Sequence, residues 1–325
     1  MEKDTVEALR VTVIKPILED LSDPLNRAGI YYRVFSRAKS LDSIQRKLKY
    51  KGDKYREEGR KLQDIIGIRF VFYFLDDIEI FASYLRKKSN FLDESNSANE
   101  LKEAREDNIG SLADKVFMPS RLNLVFKMDD YLSKELRHVL DDVEDIDGDL
   151  IDATYEVQLR TVLSEGWHEV EHDLRYKYKD ESWWNYCHIE SRMLNGIYAS
   201  LETNEMALSH LFFDVSYKNY KRKDWEAMIR NHLRIKLKAE LSTEIKNILN
   251  SSNDVAKLIL KQEKGQLISL LFHASQLLPL RMDNVVYLIN EMQEGKKSIE
   301  LSELLQKNLS LAGEIEEVLK AKDTI

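Results

Sequence analysis

Cysteine is almost missing from this 325-residue chain, which carries a single one, Cys187. One thiol excludes an internal disulfide framework and fits a reducing, cytoplasmic setting. Proline (4) and glycine (11) are also scarce, which excludes collagenous and loop-dominated classes and favours a helix-rich chain. No apolar run reaches the roughly 18 residues of a membrane helix. The early charges Glu2, Lys3, Asp4 and Glu7 lead us to expect no secretory leader. An excess of positive charge is lacking too: 49 Lys and Arg face 57 Asp and Glu, a net charge of −8. The chain as a whole is therefore not a polyanion binder, and any nucleic-acid surface has to be local. There is no internal repeat and no low-complexity tract. The length suffices for one large domain and a smaller one.

Hydrophobic periodicity predicts an amphipathic helix over 4–29, with Val6, Leu9, Val13, Ile17, Leu18 and Leu21 on one side and Pro24 ending or kinking it. A short strand is expected over Tyr31–Ser36, then a basic, polar stretch from Arg37 to Arg60. Ile65–Leu75 is nearly continuous in apolar residues around Arg69, the pattern of a buried strand. Asp76 and Asp77 should open the next helix, over Ile78–Lys88. Ser89–Asn108 has no clear period and reads as a loop with some helix. Arg121–Met128 reads as a strand. Asp141–Asp152 reads as an acidic, solvated hairpin loop; as a calcium loop it fails, because Val143 and Thr154 fall where the end carboxylates should be.

Over 153–160 the alternation places Glu156, Gln158 and Arg160 on one strand face and Val157 and Leu159 on the other. A carboxylate, an amide and a guanidinium side by side make a polar working surface. Thr161 is placed to cap a following helix, on which Leu163, Trp167, Val170 and Leu174 recur at helical spacing. Trp183 and Trp184 are expected to seal later helices onto the domain. His168-Glu169-Val170-Glu171-His172 is a literal H-E-x-x-H, whose two histidines share a helix face and can ligate zinc with Glu169 as base. Three fixed positions arise readily by chance, so the motif carries little weight alone. After residue 160 everything reads as helix. The stretch 218–238 holds eight basic residues against two acidic ones; a solvated helix face and a local nucleic-acid patch are both open readings.

Three segments together resemble the synthetase domain of the RelA/SpoT family, over roughly 33–180. Arg37-Ala38-Lys39 with Ser43-Ile44 is similar to the family's R-x-K…S-I. Asp64-Ile65-Ile66-Gly67-Ile68-Arg69 is similar to D-x-x-G-x-R, and Asp76-Asp77 follow as an acid pair. Glu156-Val157-Gln158-Leu159-Arg160-Thr161, then Trp167, Glu171-His172 and Tyr176-Lys177, resembles E-x-Q-x-R-T…W…E-H…Y-K. The order and spacing make the set specific. The resemblance implies an α/β fold of the α+β type, a mixed, mostly antiparallel sheet flanked by helices. An all-helical C-terminal domain follows, with a boundary near 215 that gives domains 1–215 and 216–325.

It also implies a pyrophosphokinase: the 3′-hydroxyl of GDP or GTP attacks the β-phosphate of ATP, AMP leaves, and the alarmones (p)ppGpp result. On that resemblance ATP is held by Arg37, Lys39, Ser43, Lys47 and Arg69, with the two arginines sandwiching the adenine. Asp64 and Glu156 are the catalytic and Mg2+-binding carboxylates, and Glu156 can also take the attacking hydroxyl's proton. Gln158, Arg160, Lys115 and Arg121 fall on the acceptor side. The family's acceptor loop N-G-Y-x-S-x-H has no counterpart, since Pro119 and Asn123 stand where tyrosine and histidine belong. Proline has no π face for a base, and asparagine carries no charge. Tyr73, Phe117 or Tyr155 takes over the stacking, or the acceptor differs. The tRNA 3′ end, reached through 218–238, and a catalytically degenerate nucleotide sensor are the alternatives. The family's hydrolase needs a helical domain that 4–29 is too short to form. Whether the C-terminal helices inhibit, form a homo-oligomer or bind a partner stays open.

Overall fold

A computed structural model describes residues 2–57, 61–63, 65–96, 122–141, 143, 146, 148–176, 186–274, 277–293 and 295–324. Asp64, Lys115, Phe117, Pro119, Arg121, Trp183 and Trp184 lie outside the described residues, as does 97–108 of the expected loop. Two compact units emerge. The first comprises Met1–Asp20, Tyr32–Tyr73 and Leu85–Asn204; the second comprises Leu21–Tyr31, Phe74–Tyr84 and Glu205–Ile325. No helix among the described residues is long and apolar enough to cross a membrane.

The first unit is built on five strands, β1 (Tyr32–Ala38), β2 (Ile66–Phe72), β3 (Phe91–Asn96), β4 (Leu122–Lys127) and β5 (Thr154–Thr161). Their order is β1-β2-β5-β4-β3. Only the central β2–β5 pair is parallel, so the sheet is mixed and mostly antiparallel as expected. One face is apolar. Ile66, Ile68, Phe70 and Phe72 of β2 sit in register with Tyr155, Val157 and Leu159 of β5 and with Leu122, Leu124 and Phe126 of β4. All of these apolar side chains are buried, and Phe126 stacks on Tyr155 with ring centroids 5.3 Å apart. Each such side chain stabilises the fold by about 1.5–3 kcal/mol on leaving water. The other face holds the polar residues described below.

Several sequence expectations are corrected here. The N-terminal helix is not one piece: α1 (Glu2–Leu9) passes through a π-helical turn at Arg10–Ile14 into α2 (Lys15–Arg27). Pro24 does not end α2, which runs three residues further. It forfeits one amide bond close to the helix end, and Gly29 does the stopping. At φ +68° Gly29 lets Ile30 N donate back to Leu25 O at 3.0 Å, and a Cβ there would meet Leu280 Cδ1 at 2.6 Å. The polar stretch after β1 is a helix, α3 (Leu41–Glu57), carried by buried Leu41, Ile44 and Leu48 at i, i+3 and i+7 among the charges. Phe91–Asn96 is a strand and not a loop. Its charged, low-propensity sequence is held by pairing with β4, and it forms the sheet edge, where charges discourage further pairing.

The remaining helices of the first unit are α4 (Leu75–Arg86, shared with the second unit), α5 (Asp130–Asp141) and α6 (Val162–Glu171). The acidic stretch before β5 closes with a 3-10 turn, Gly148–Leu150. Thr161 caps α6 as expected, in a reciprocal capping box with Ser164. The apolar stripe read onto α6 is not its buried side. Leu163, Val170 and Leu174 are exposed, and Ser164, Trp167, His168 and Glu171 are buried. The helix packs on β2 and β5, whose facing side chains are polar, so polar residues go inward.

α7 (His188–Arg222) is shared between the units. In the second unit it is followed by α8 (Trp225–Leu233), α9 (Thr243–Ser251), α10 (Asn253–Lys261), α11 (Lys264–His273), α12 (Met282–Glu291), α13 (Ile299–Gln306) and α14 (Leu309–Lys320). This C-terminal region is all helical, as expected. Its core includes Phe81, Met228, Ile229, Leu267, Phe272, Val285 and Leu288. The basic residues of 218–238 are exposed except Arg234, so the solvated reading largely holds, spread over α7, α8 and the chain after it. Arg230 donates to the carbonyls of Leu237 and Ala239 at the surface, and half-buried Arg234 pairs with Asp76 at 2.5 Å.

The acids opening α4 form a buried charge cluster with α11. Asp77 is fully buried and pairs with Lys264, and Asp76 lies 3.4 Å from the same ammonium. Burial pushes the Asp77 carboxyl up to about 6, and the attraction of Lys264 offsets this only in part. The folded protein therefore keeps a proton that the unfolded chain has already lost above pH 4, so stability falls as pH rises from about 4 to about 6. Asp77→Asn should remove that part of the slope. The check is the urea midpoint measured across this range for both proteins, and parallel curves would refute the assignment.

Candidate active site

The polar face of the sheet is organised in three rows set by strand register. Arg37 of β1 pairs with Gly67 of β2, which pairs with Glu156 of β5. The next row runs Phe35, Arg69, Gln158 and Asn123 across β1, β2, β5 and β4. The third joins Arg33, Val71 and Arg160. Alternation along each strand brings Arg37, Arg69, Glu156 and Gln158 together, as the sequence predicts. Arg37, Arg69 and Gln158 border a cavity of about 500 Å3 whose lining also includes Phe35, Gly67 and the two α6 acids Glu165 and Glu169; Glu156 stands in the row beside it.

Arg69 is the hub. Its Nε donates to Gln158 Oε1 at 2.9 Å, and its Nη1 donates to Glu165 at 2.7 Å and to Glu169. Glu165 and Glu169 are one helical turn apart, so α6 reaches down with both carboxylates on one side. Burial alone would weaken the guanidinium charge; the two carboxylates outweigh it and hold its pKa above the usual value. Gln158 is fixed at both ends, since its Nε2 donates to Glu156 Oε2 at 3.2 Å. Glu156 is half-buried. A relay of contacts thus runs from α6 through Arg69 and Gln158 to Glu156. The Arg37 side chain lies over Gly67: a Cβ there would sit in ordinary contact with Arg37 Nε, at 3.6 Å, and a longer side chain would displace the arginine.

The other expected residues divide. Lys39 stands where the chain leaves β1, its amide bonded to Ile65 O at 2.8 Å. Ser43 and Lys47 follow on α3 at i, i+4 spacing, and Ser43 receives a hydrogen bond from Ser40 Oγ at 2.8 Å. Arg160 is not open to the cavity. It is buried and donates to the carbonyls of Leu122 and Leu159 and to Asn123 Oδ1 at 3.0 Å. Asn123 therefore serves as a partner for Arg160. Tyr155 points to the opposite, apolar face, where burial pushes its hydroxyl up to about 12. It is in no position to stack a base over the polar rows.

Sequence reasoning missed three members. Phe35 is 54% exposed although it sits in the row of Arg69 and Gln158. Glu165 carried no signal beyond its place in the first turn of α6. Glu169 was read as the base of the zinc motif, yet its carboxylate is on Arg69. Trp167 and Glu171 of the same helix fasten it to α7: Trp167 Nε1 donates to Leu194 O at 3.0 Å, and Glu171 holds Arg175, which reaches Ser191 and Asn195.

A model described as "Region found in RelA / SpoT proteins" matches residues 36–181, slightly under half of the chain. Residues 36–181 are a RelA/SpoT region. Arg37, Gly67, Arg69, Glu156, Gln158, Glu165 and Glu169 all fall inside it, and the helices from α8 onward lie beyond it. No curated protein matches the chain. Among solved structures it is similar to small alarmone synthetase 2 from Bacillus subtilis (16% identity, 61% of this chain and 89% of that chain, TM-score 0.39). Small alarmone synthetase 1 from Bacillus subtilis, bound to its product pppGpp, matches at 19% identity over 61% and 88%, TM-score 0.39. A GTP pyrophosphokinase family protein from Streptococcus pneumoniae matches at 18% over 60% and 85%, TM-score 0.39.

Within the RelA/SpoT region, Asn123→Ala removes the side-chain acceptor from a buried guanidinium. Stability should drop by about 1–3 kcal/mol in urea unfolding. A loss below about 0.5 kcal/mol would mean that the two carbonyls satisfy Arg160 without Asn123.

Proposed function

We propose that the protein is an ATP-dependent pyrophosphokinase that transfers the β,γ-pyrophosphate of ATP to the 3′-hydroxyl of GDP or GTP. The observation that carries this reading is the pair of adjoining rows, Arg37–Gly67–Glu156 and Phe35–Arg69–Gln158, with a cavity beside them whose lining, Phe35 apart, falls within the matched RelA/SpoT region. Arg37 lies over Gly67 and Arg69 stands two residues along the same strand, so two guanidinium groups line the cavity, where cations can pack on a planar base. Phe35 adds an exposed ring to the same face.

Lys39, Ser43 and Lys47 lie along the end of β1 and the start of α3, where ammonium and hydroxyl groups serve a triphosphate. The acceptor's 3′-oxygen attacks the β-phosphorus, the bond from that phosphorus to the α,β-bridging oxygen breaks, and AMP departs with that oxygen. Glu156 takes the proton of the attacking hydroxyl, held in place by Gln158. The donor chemistry also fits Mg2+. Two guanidinium groups in the rows and cavity face three carboxylates, Glu156, Glu165 and Glu169, so a polyphosphate entering here needs additional positive charge. Glu156 and Asp64 would hold the ion, which when bound neutralises charge developing on the transferred oxygens.

Transfer to a different acceptor, such as the tRNA 3′ end, is the second reading. Behind it stands Asn123, which is committed to Arg160 and offers no charge to an acceptor phosphate. The assay offers GDP, GTP, ATP and bulk tRNA separately with ATP labelled on its β-phosphate. Label on GDP or GTP is expected; label on tRNA alone would replace the proposal by the second reading. ATP binding with no transfer under any condition would leave a degenerate nucleotide sensor. Glu156→Gln should lower turnover by about 10²-fold or more with ATP affinity nearly unchanged. Gly67→Leu should do the reverse in kind, weakening ATP binding by about tenfold by displacing the Arg37 side chain that lies over Gly67, with the unfolding midpoint little altered.

A further inference from the structure

The second unit contains another cavity, of about 600 Å3, whose lining residues all belong to that unit and lie outside the RelA/SpoT region. Its volume is in the range of small-molecule sites. One wall comes from the last turns of α7, where Phe213, Tyr217 and Tyr220 recur at i, i+4 and i+7. The rings of Tyr217 and Tyr220 lie 6.2 Å apart at an interplanar angle of 22°, and Phe213 and Tyr217 are each nearly half exposed. Phe213 and Tyr217 thus keep exposed ring surface inside the concavity, on which a further ring can pack.

The charge around this wall is one-sided. Lys221 Nζ lies 5.2 Å over the Tyr217 ring. Lys257 and Lys261, one turn apart on α10, are exposed and form no ion pair among the described residues. Arg234 and Lys264 line the depth of the cavity and are matched by Asp76 and Asp77, so the three other lysines set the net sign. Glu263 is the one carboxylate in the lining. Arg234 Nε is a buried donor with no hydrogen-bond partner among the described residues, which leaves a polar atom unsatisfied beside the cavity. An aromatic wall with three uncompensated ammonium groups suits a ligand that is both planar and polyanionic. A local concavity of about 600 Å3 favours a single nucleotide over a strand, which would need a continuous basic groove.

We propose that this cavity binds a nucleoside phosphate, with its base against Phe213 and Tyr217 and its phosphates against Lys221, Lys257 and Lys261. The site is separate from the sheet cavity and does not depend on what that cavity does.

Photo-crosslinking of the full chain with 8-azido-ATP and 8-azido-GTP, mapped by mass spectrometry, tests it. An adduct within 213–221 or 257–264 is expected, competed by excess parent nucleotide. Replacing both Lys257→Ala and Lys261→Ala, which are exposed and leave the helix intact, should cut that adduct by roughly tenfold or more. Arg37→Ala, in the other cavity, should leave it unchanged. The proposal is overturned by an adduct confined to the RelA/SpoT region, or by one that survives the double substitution. Competition by tripolyphosphate as strong as by ATP would also overturn it, marking a bare anion site. So would competition by single-stranded RNA far below the nucleotide concentration needed.

Discussion

A guanidinium on an interior strand of a sheet is a liability until something answers its charge, and in the first unit the polar architecture is arranged around Arg69. Removing a cation from water is costly unless it is paired, so half-buried Arg69 requires partners close by. Gln158 comes from the neighbouring parallel strand, and Glu165 and Glu169 come from the helix above. That demand couples three elements. The capping box at Thr161 fixes where α6 begins, and this places the two acids a turn apart over β2. Trp167 and Glu171 then anchor the far side of the helix, so its acids are held from both directions.

The consequence for the cavity is a division of labour between exposed and committed charge. Arg69 is bonded along its edge to Gln158, Glu165 and Glu169, and the Arg37 side chain lies over Gly67 in the adjoining row. Glu156 is oriented indirectly, by an amide that Arg69 orients in turn. Farther along the sheet, Arg160 and Asn123 satisfy each other and tie β5 to β4. A protonated histidine in the position of Asn123 would put a second cationic group against that guanidinium.

The second unit shows the same economy on a different scaffold. Asp76 and Asp77 open α4, answer Arg234 and Lys264, and form no acidic surface; both cations also lie over the ring of Phe74, at 5.0 and 5.5 Å. One of the basic residues of 218–238, Arg234, is thereby drawn inward. Lys221 of the same stretch stands beside the aromatic wall with Lys257 and Lys261 of α10, so the local concentration of charge is set by packing and not by the run in sequence.

Much of this was legible from residues alone. Strand alternation placed Glu156 and Gln158 on one face, the apolar run around Arg69 marked a buried strand, and Thr161 marked a cap, because each signal is local and repeats with the backbone's own period. Arg37, Arg69 and Glu156, grouped by motif order, fall in adjoining rows of one sheet face. Contacts between distant segments were not legible. That Glu165 and Glu169 close on Arg69, that Arg160 turns away to Asn123, that Tyr155 faces the core and Phe35 the cavity, and that Phe91–Asn96 pairs as an edge strand all depend on register and helix placement. Those are settled by which partner satisfies a buried charge or covers an apolar face, and the partner lies 30 to 100 residues away in the chain.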